Sequence, residues 1–256
     1  MQFKTYPLPG GGELDVYLRT PAPAMPNALR RPLGGGYEHV SAREADPVAL
    51  QFAAAGYHAA VLTYSVGEGA RNYQPLRQLS AALALLREHA EAWGVLPEQI
   101  AVCGFSAGGH LALSGAVLDL PGGEAAAQQR PNAVLLAYPV VTAGEHAHRG
   151  SFVRLSGSED PADHQKFTLE DKITPDTPPV FVWHTMEDAT VPVENTLLLL
   201  AALRKNRVPC EVHLFEKGVH GTSISTAEVD AASAHRAHWV QLAVEWLNDT
   251  FDFHLV

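Results

Sequence analysis

The stretch that most restricts how this chain can fold is Gly104-Phe105-Ser106-Ala107-Gly108-Gly109-His110, set between the apolar runs Ile100-Ala101-Val102-Cys103 and Leu111-Ala112-Leu113. It predicts strand, tight turn and helix in immediate succession. In a G-x-S-x-G turn the glycines remove side chains that would collide, so the central serine projects its Oγ from the C-terminal edge of a sheet. Ser106 is the candidate nucleophile on this reading. The alternative is a chance match in a chain with 21 glycines, and the strand-turn-helix context argues against it.

The flanking sequence keeps the same rhythm. Residues 2–6 and 13–18 alternate polar and apolar positions around Pro9-Gly10-Gly11-Gly12, which predicts an antiparallel hairpin at a sheet edge. Helices are then expected over 43–55, 75–93, after Ser106, over 193–205 and 232–248, and strands over 57–64, 99–105, 133–138, 180–184 and 210–215. Alternating strands and helices specify a mostly parallel sheet with helices on both faces. The segment between Pro139 and Pro179 is rich in Gly, Pro, Ser, His and charge, with a weak helical signal at 163–169. It is too short for a second domain and is read as an excursion over the C-terminal edge of the sheet, where such folds place their ligands. All 256 residues are therefore expected to form one domain.

A serine in such a turn needs a base to take its proton and a carboxylate to hold that base in the right tautomer. Two later loops offer them. Thr185-Met186-Glu187-Asp188 follows the strand at 180–184, and Gly218-Val219-His220-Gly221 follows the strand at 210–215. Asp188 is favoured over Glu187 for the carboxylate, with a loop acid or helix cap as the alternative. His220 is favoured among 13 histidines because glycines flank its loop. His184 and His110 are read as core or packing residues, Glu194 and Asn195 as capping residues, and Arg43 with Glu44 as a structural pair. Attack on a carbonyl builds charge on its oxygen, which backbone N–H groups can hold. Ala107 is one expected donor, and Gly34-Gly35-Gly36-Tyr37 is the expected source of the other. Tyr37 is a tentative substrate contact, with packing as the equal alternative. No G-x-G-x-x-G is present, so the glycine loop is not read as a cofactor site.

These motifs, together with Ser41-Ala42-Arg43-Glu44-Ala45, Tyr138-Pro139-Val140 and Thr177-Pro178-Pro179, resemble the small α/β-hydrolase carboxylesterases related to acetyl-xylan esterases and the BD-FAE group. The resemblance runs from about Gly34 to Leu247, and the order Ser106, Asp188, His220 is that of the α/β-hydrolases. It implies an α/β-hydrolase fold and a Ser106-Asp188-His220 triad. It also implies an oxyanion hole from Gly35, Gly36 and Ala107, no metal and no cofactor, and short-acyl esters such as acetylated sugars as substrates. Rivals are another serine hydrolase (peptidase, thioesterase or lipase) and a non-catalytic binding protein on the same fold. The lack of a large N-terminal domain is read against an oligopeptidase, and the polar excursion against a lipase lid.

One segment departs from the pattern. The stretch before the glycine loop is Pro26-Asn27-Ala28-Leu29-Arg30-Arg31-Pro32-Leu33, where a central parallel strand should be uninterrupted Val, Ile and Leu. Buried unpaired arginines and ladder-breaking prolines predict a shortened or displaced strand and a mobile glycine loop.

Charge and cysteine content narrow the setting. A net charge of −10 disfavours nucleic acid and anionic membranes as partners. Cys103 and Cys210 fall inside expected strands, which suggests unpaired thiols in a reducing compartment. Residues 1–9 lack the pattern of a signal peptide, and cytoplasm is the default expectation. The expected partner is a small ester, with association into identical subunits left open.

Overall fold

The computed structural model describes residues 1–19, 28–32 and 35–253. Its centre is an eight-stranded sheet with the order β1-β2-β4-β3-β5-β6-β7-β8. β1 (Gln2–Leu8) and β2 (Gly12–Leu18) form the expected edge hairpin. β2 runs antiparallel to β4 (His58–Thr63). From there the ladder is parallel through β3 (Ala28–Pro32), β5 (Ala101–Phe105), β6 (Ala133–Ala137), β7 (Val180–Thr185) and β8 (Cys210–Phe215).

Every residue of β5, β6 and β7 is buried, as continuous apolar runs require when helices cover both faces. Successive side chains point to opposite sides. Val102, Val134 and Val180 join a core under α2 (Gln74–Glu88), α4 (Ala107–Val117) and α7 (Glu194–Lys205). Cys103, Leu135 and Phe181 join the opposite core, under α1 (Asp46–Ala54) and α8 (Ala234–Phe251). That second core is largely aromatic, with the Trp183 and Trp239 rings stacked at 5.4 Å. The helix expected over 75–93 is interrupted at His89, after which α3 (Ala90–Trp93) ends on Gly94 in the left-handed conformation. The excursion contains two helices, α5 (Arg149–Ser156) and α6 (Pro161–His164).

The arginine-containing segment takes the central position. Residues 28–32 pair along their whole length with β4, and Arg30 pairs with Val102 of β5. Composition predicts a shortened or displaced strand; the observed one is as long as β5 or β6 but makes a single registered pair on its β5 side. Pro26, Asn27, Leu33 and Gly34 lie outside the described residues. The backbone therefore reaches the sheet centre despite the charged and proline residues, because parallel pairing with β4 supplies a full ladder on one side.

Candidate active site

β5 ends at Phe105, and the chain reverses at Ser106 with φ 52° and ψ −120° before entering α4. A non-glycine residue in this region stores about 1–3 kcal/mol of strain, which its surroundings must hold. Here the Ser106 N–H donates to the Ala137 carbonyl at 3.0 Å, and its own carbonyl accepts from Val140 and His110 at 3.1 Å each. Gly104 permits the turn: a Cβ there would stand 2.1 Å from the Gly108 carbonyl oxygen. Any side chain at 104 would push α4 off the strand.

From the turn, the Ser106 Oγ lies 2.8 Å from His220 Nε2, and His220 Nδ1 lies 2.6 Å from Asp188 Oδ2. The structure thus brings together the three residues singled out in the sequence, from loops after β5, β7 and β8. Because a carboxylate only accepts, Nδ1 carries the imidazole proton, and Nε2 is free to accept from the serine hydroxyl. Asp188 Oδ1 accepts from the Thr190 and Val191 amides at 3.0 and 2.9 Å. His184, buried on β7, adds a further contact: its Nε2 is 3.3 Å from Asp188 Oδ2 and 3.0 Å from the Val191 carbonyl. Both neighbours are acceptors, so Nε2 is the protonated nitrogen and Nδ1 accepts from Thr196 Oγ1 at 2.8 Å. Burial pulls the Asp188 carboxyl upward, but hydrogen bonds from His184 and His220 outweigh it and hold the group well below the usual carboxylate range. His184 is the satisfied core residue that its position at a strand end suggests, and it also orients the acid.

Glu187, the competing acid, serves the same loop differently. Its Oε2 accepts from the Gly218 N–H at 3.1 Å, while Thr185 Oγ1 donates to the Gly218 carbonyl at 2.7 Å. The loop that carries His220 is thereby anchored to the loop that carries Asp188. Tyr138 stands edge-on to the imidazole, with centroids 4.9 Å apart. Its hydroxyl donates to buried Glu44 at 2.8 Å and accepts from the Ser223 N–H at 3.0 Å. Glu44 therefore supports the floor under His220, a role not visible in its sequence neighbourhood.

Ser106 and His220 open on a cleft of ≈ 310 Å³ lined, among the described residues, by thirteen, including Gly35, Gly36, Arg43, Glu44, His148 and Thr190. None of the thirteen is Val, Leu, Ile, Met, Phe, Tyr or Trp. Gly35 and Gly36 have φ 137° and 63°, and a Cβ at Gly35 would meet the His39 carbonyl oxygen at 2.1 Å. Ala107 is the first residue of α4, where amides have no partner within the helix. Tyr37 is a correction to the tentative substrate contact. It is 1% exposed, and its hydroxyl faces His110 Nδ1 at 2.9 Å, beneath the loop rather than in the cleft. His110 Nε2 donates to the Phe167 carbonyl at 2.8 Å, so Nδ1 accepts from Tyr37, and the glycine loop, α4 and the excursion are tied at one ring.

Two contributors escaped the sequence reading. His148, on the excursion, lines the cleft beside the glycine loop. Asn195, expected as a cap, instead bridges segments: Oδ1 accepts from Val141 and Thr142 N–H, and Nδ2 donates to the His146 and Pro192 carbonyls. A lone histidine in an irregular stretch gave no signal, and a capping position conceals a tertiary one. Among the described residues, no cluster of three His, Cys, Asp or Glu is placed to hold a metal ion.

Known proteins share this arrangement of strands and loops. A solved acetyl ester-xyloside bifunctional hydrolase from Caldicellulosiruptor lactoaceticus is 34% identical with a TM-score of 0.83, over 96% of this chain and 90% of that one. The endo-1,4-beta-xylanase B of Butyrivibrio fibrisolvens is 35% identical over 76% of this chain and 32% of its own length. The acetylxylan esterase of Xylanibacter ruminicola is 28% identical over 65% of this chain and 34% of its own. The chain spans about a third of the length of these curated relatives. The BD-FAE family profile matches residues 14–127, and the prolyl oligopeptidase family profile matches residues 71–251. With more than half of its length matched in that second comparison, the chain belongs to the prolyl oligopeptidase family of α/β-hydrolase proteins.

Proposed function

We propose that this protein is a serine carboxylic ester hydrolase that removes short acyl groups, acetate foremost, from small polar alcohols such as sugars. The observation that carries this reading is the Ser106-His220-Asp188 hydrogen-bonded chain opening on a cleft whose described lining includes no large hydrocarbon side chain. Such a lining offers a long acyl chain no large apolar side chain to bury against, and so little of the about 0.8 kcal/mol per methylene that full burial supplies. The acetylxylan esterase and the acetyl ester-xyloside hydrolase among the relatives support the same substrate class.

In the proposed reaction His220 Nε2 takes the Ser106 proton as Oγ attacks the acyl carbon, and Asp188 steadies the resulting imidazolium. The tetrahedral oxyanion is held by backbone N–H groups of Ala107 and the Gly35-Gly36 segment, donors that are typically worth about 2.7–4 kcal/mol each. His220 then protonates the departing alcohol, and a water activated by the same base releases the acid. The family name raises a peptidase as the second reading. A proline-directed site is served by a large apolar or aromatic side chain against the pyrrolidine ring, and the described cleft residues include none.

Hydrolysis of p-nitrophenyl acetate, butyrate and octanoate by wild type and Ser106→Ala tests the proposal. The expected order is acetate, butyrate, octanoate, with the substitution lowering kcat by at least about 10⁴-fold. A folded wild type without turnover, or one that prefers octanoate, would overturn it.

A further inference from the structure

We infer that His148 is a substrate-specificity residue whose Nε2–H donates a hydrogen bond to an oxygen of the alcohol half, favouring hydroxylated esters such as sugar acetates. The inference rests on the ester-hydrolase reading above.

Ser151 lies one turn along from His148 and is completely buried. Its Oγ is 2.9 Å from His148 Nδ1, the partner its hydroxyl has among the described residues. Were Nδ1 protonated, the buried Ser151 hydroxyl would have no acceptor, a loss that costs more than an ordinary hydrogen bond returns. Nδ1 therefore accepts, and Nε2 carries the proton. That N–H has no partner among the described residues, and its ring lines the cleft.

The ring's place is set by glycines on either side. His148 Cε1 would stand 3.4 Å from a Cβ at Gly36 and 3.7 Å from one at Gly150, so the imidazole edge lies against the loop that flanks Ser106. The acyl oxygen is already provided with backbone amides. The leaving oxygen must face His220 to be protonated, and the alcohol attached to it extends into the cleft beyond. Burial, then the neighbouring His220, lowers the His148 pKa, and Asp188 only partly offsets this. His148 is thus neutral when the His220 imidazolium forms and does not oppose it. Where the described lining includes no large hydrocarbon side chain, a fixed neutral donor selects an alcohol that brings acceptors of its own.

The test exploits the two ring positions. Asparagine places its amide near Nδ1 and keeps the Ser151 contact, whereas glutamine reaches the position of Nε2 and keeps the donor. For each protein the ratio of kcat/KM on a mono-acetylated methyl pyranoside to that on p-nitrophenyl acetate is measured. We expect the ratio to fall about five- to tenfold in His148→Asn and to stay within about twofold of wild type in His148→Gln. A ratio unchanged in both variants, or lowered only by glutamine, overturns the inference and makes His148 a support for Ser151. Wild type inactive on both esters overturns the ester-hydrolase reading itself and the inference with it.

Discussion

A histidine is useful as a base only when the nitrogen facing the nucleophile is unprotonated, and at His220 this is decided by one carboxylate oxygen 2.6 Å away. Asp188 in turn stays ionised although it is fully buried, because His184, His220 and two amides donate to it. Asp188→Asn retains the shape but offers the imidazole an N–H in place of an acceptor. The wrong tautomer then faces Ser106, and kcat on p-nitrophenyl acetate is expected to fall about 10⁴-fold at pH 7. A loss below tenfold would remove Asp188 from the proposed mechanism. Ser106, Asp188 and His220 were legible because each lies in the loop just after a strand, and glycines flank Ser106 and His220. His184 and Glu44 were not, since nothing local distinguishes a histidine or glutamate that orients the site from one that merely fills space.

At the scale of elements, the site depends on the glycine loop, α4 and the excursion keeping their mutual positions, and His110 is where they meet. Its pKa is lowered to about 4 by burial, against which the Phe167 carbonyl works only in part. The unfolded chain binds a proton there near pH 6.5 and the folded one does not. Stability is therefore full above about pH 6.5 and declines as pH falls toward about 4, by at most roughly 1.4 kcal/mol for each pH step of one. His58 and His148 are lowered by burial as well and act in the same direction. His110→Gln keeps a donor for Phe167 and an acceptor for Tyr37 without a titrating group. Urea unfolding at pH 7 and pH 5 should give a smaller difference for the variant than for wild type; equal differences would show that His110 does not contribute. The sequence located the helix but not this junction, because Phe167 and Tyr37 lie 57 and 73 residues from His110.

For the whole molecule, a net charge of −10 surrounds a cleft that itself contains Glu38 and Glu44 beside Arg43. A neutral acetylated sugar is indifferent to that field, whereas an acetylated uronate is repelled. Raising salt from about 0.01 M to about 1 M shortens the screening length from about 30 Å to about 3 Å. The kcat/KM for the uronate ester should then rise about threefold relative to the neutral one; no relative change would mean that local groups alone set the preference. The periodicity of apolar residues by itself determined the alternation of strands and helices, the edge hairpin and the sharp turn at Ser106, because these follow from burial and backbone sterics over a few residues. The strand at 28–32 ran against that reading: its composition opposes a central position, and only the ladder offered by β4 shows that the chain takes it. Likewise, the lack of large hydrocarbon side chains among the described cleft residues, the burial of Tyr37 and the placement of His148 were decided by the tertiary structure alone. They depend on which distant segments close over one sheet edge, and a contact between segments leaves no mark in the local pattern of either.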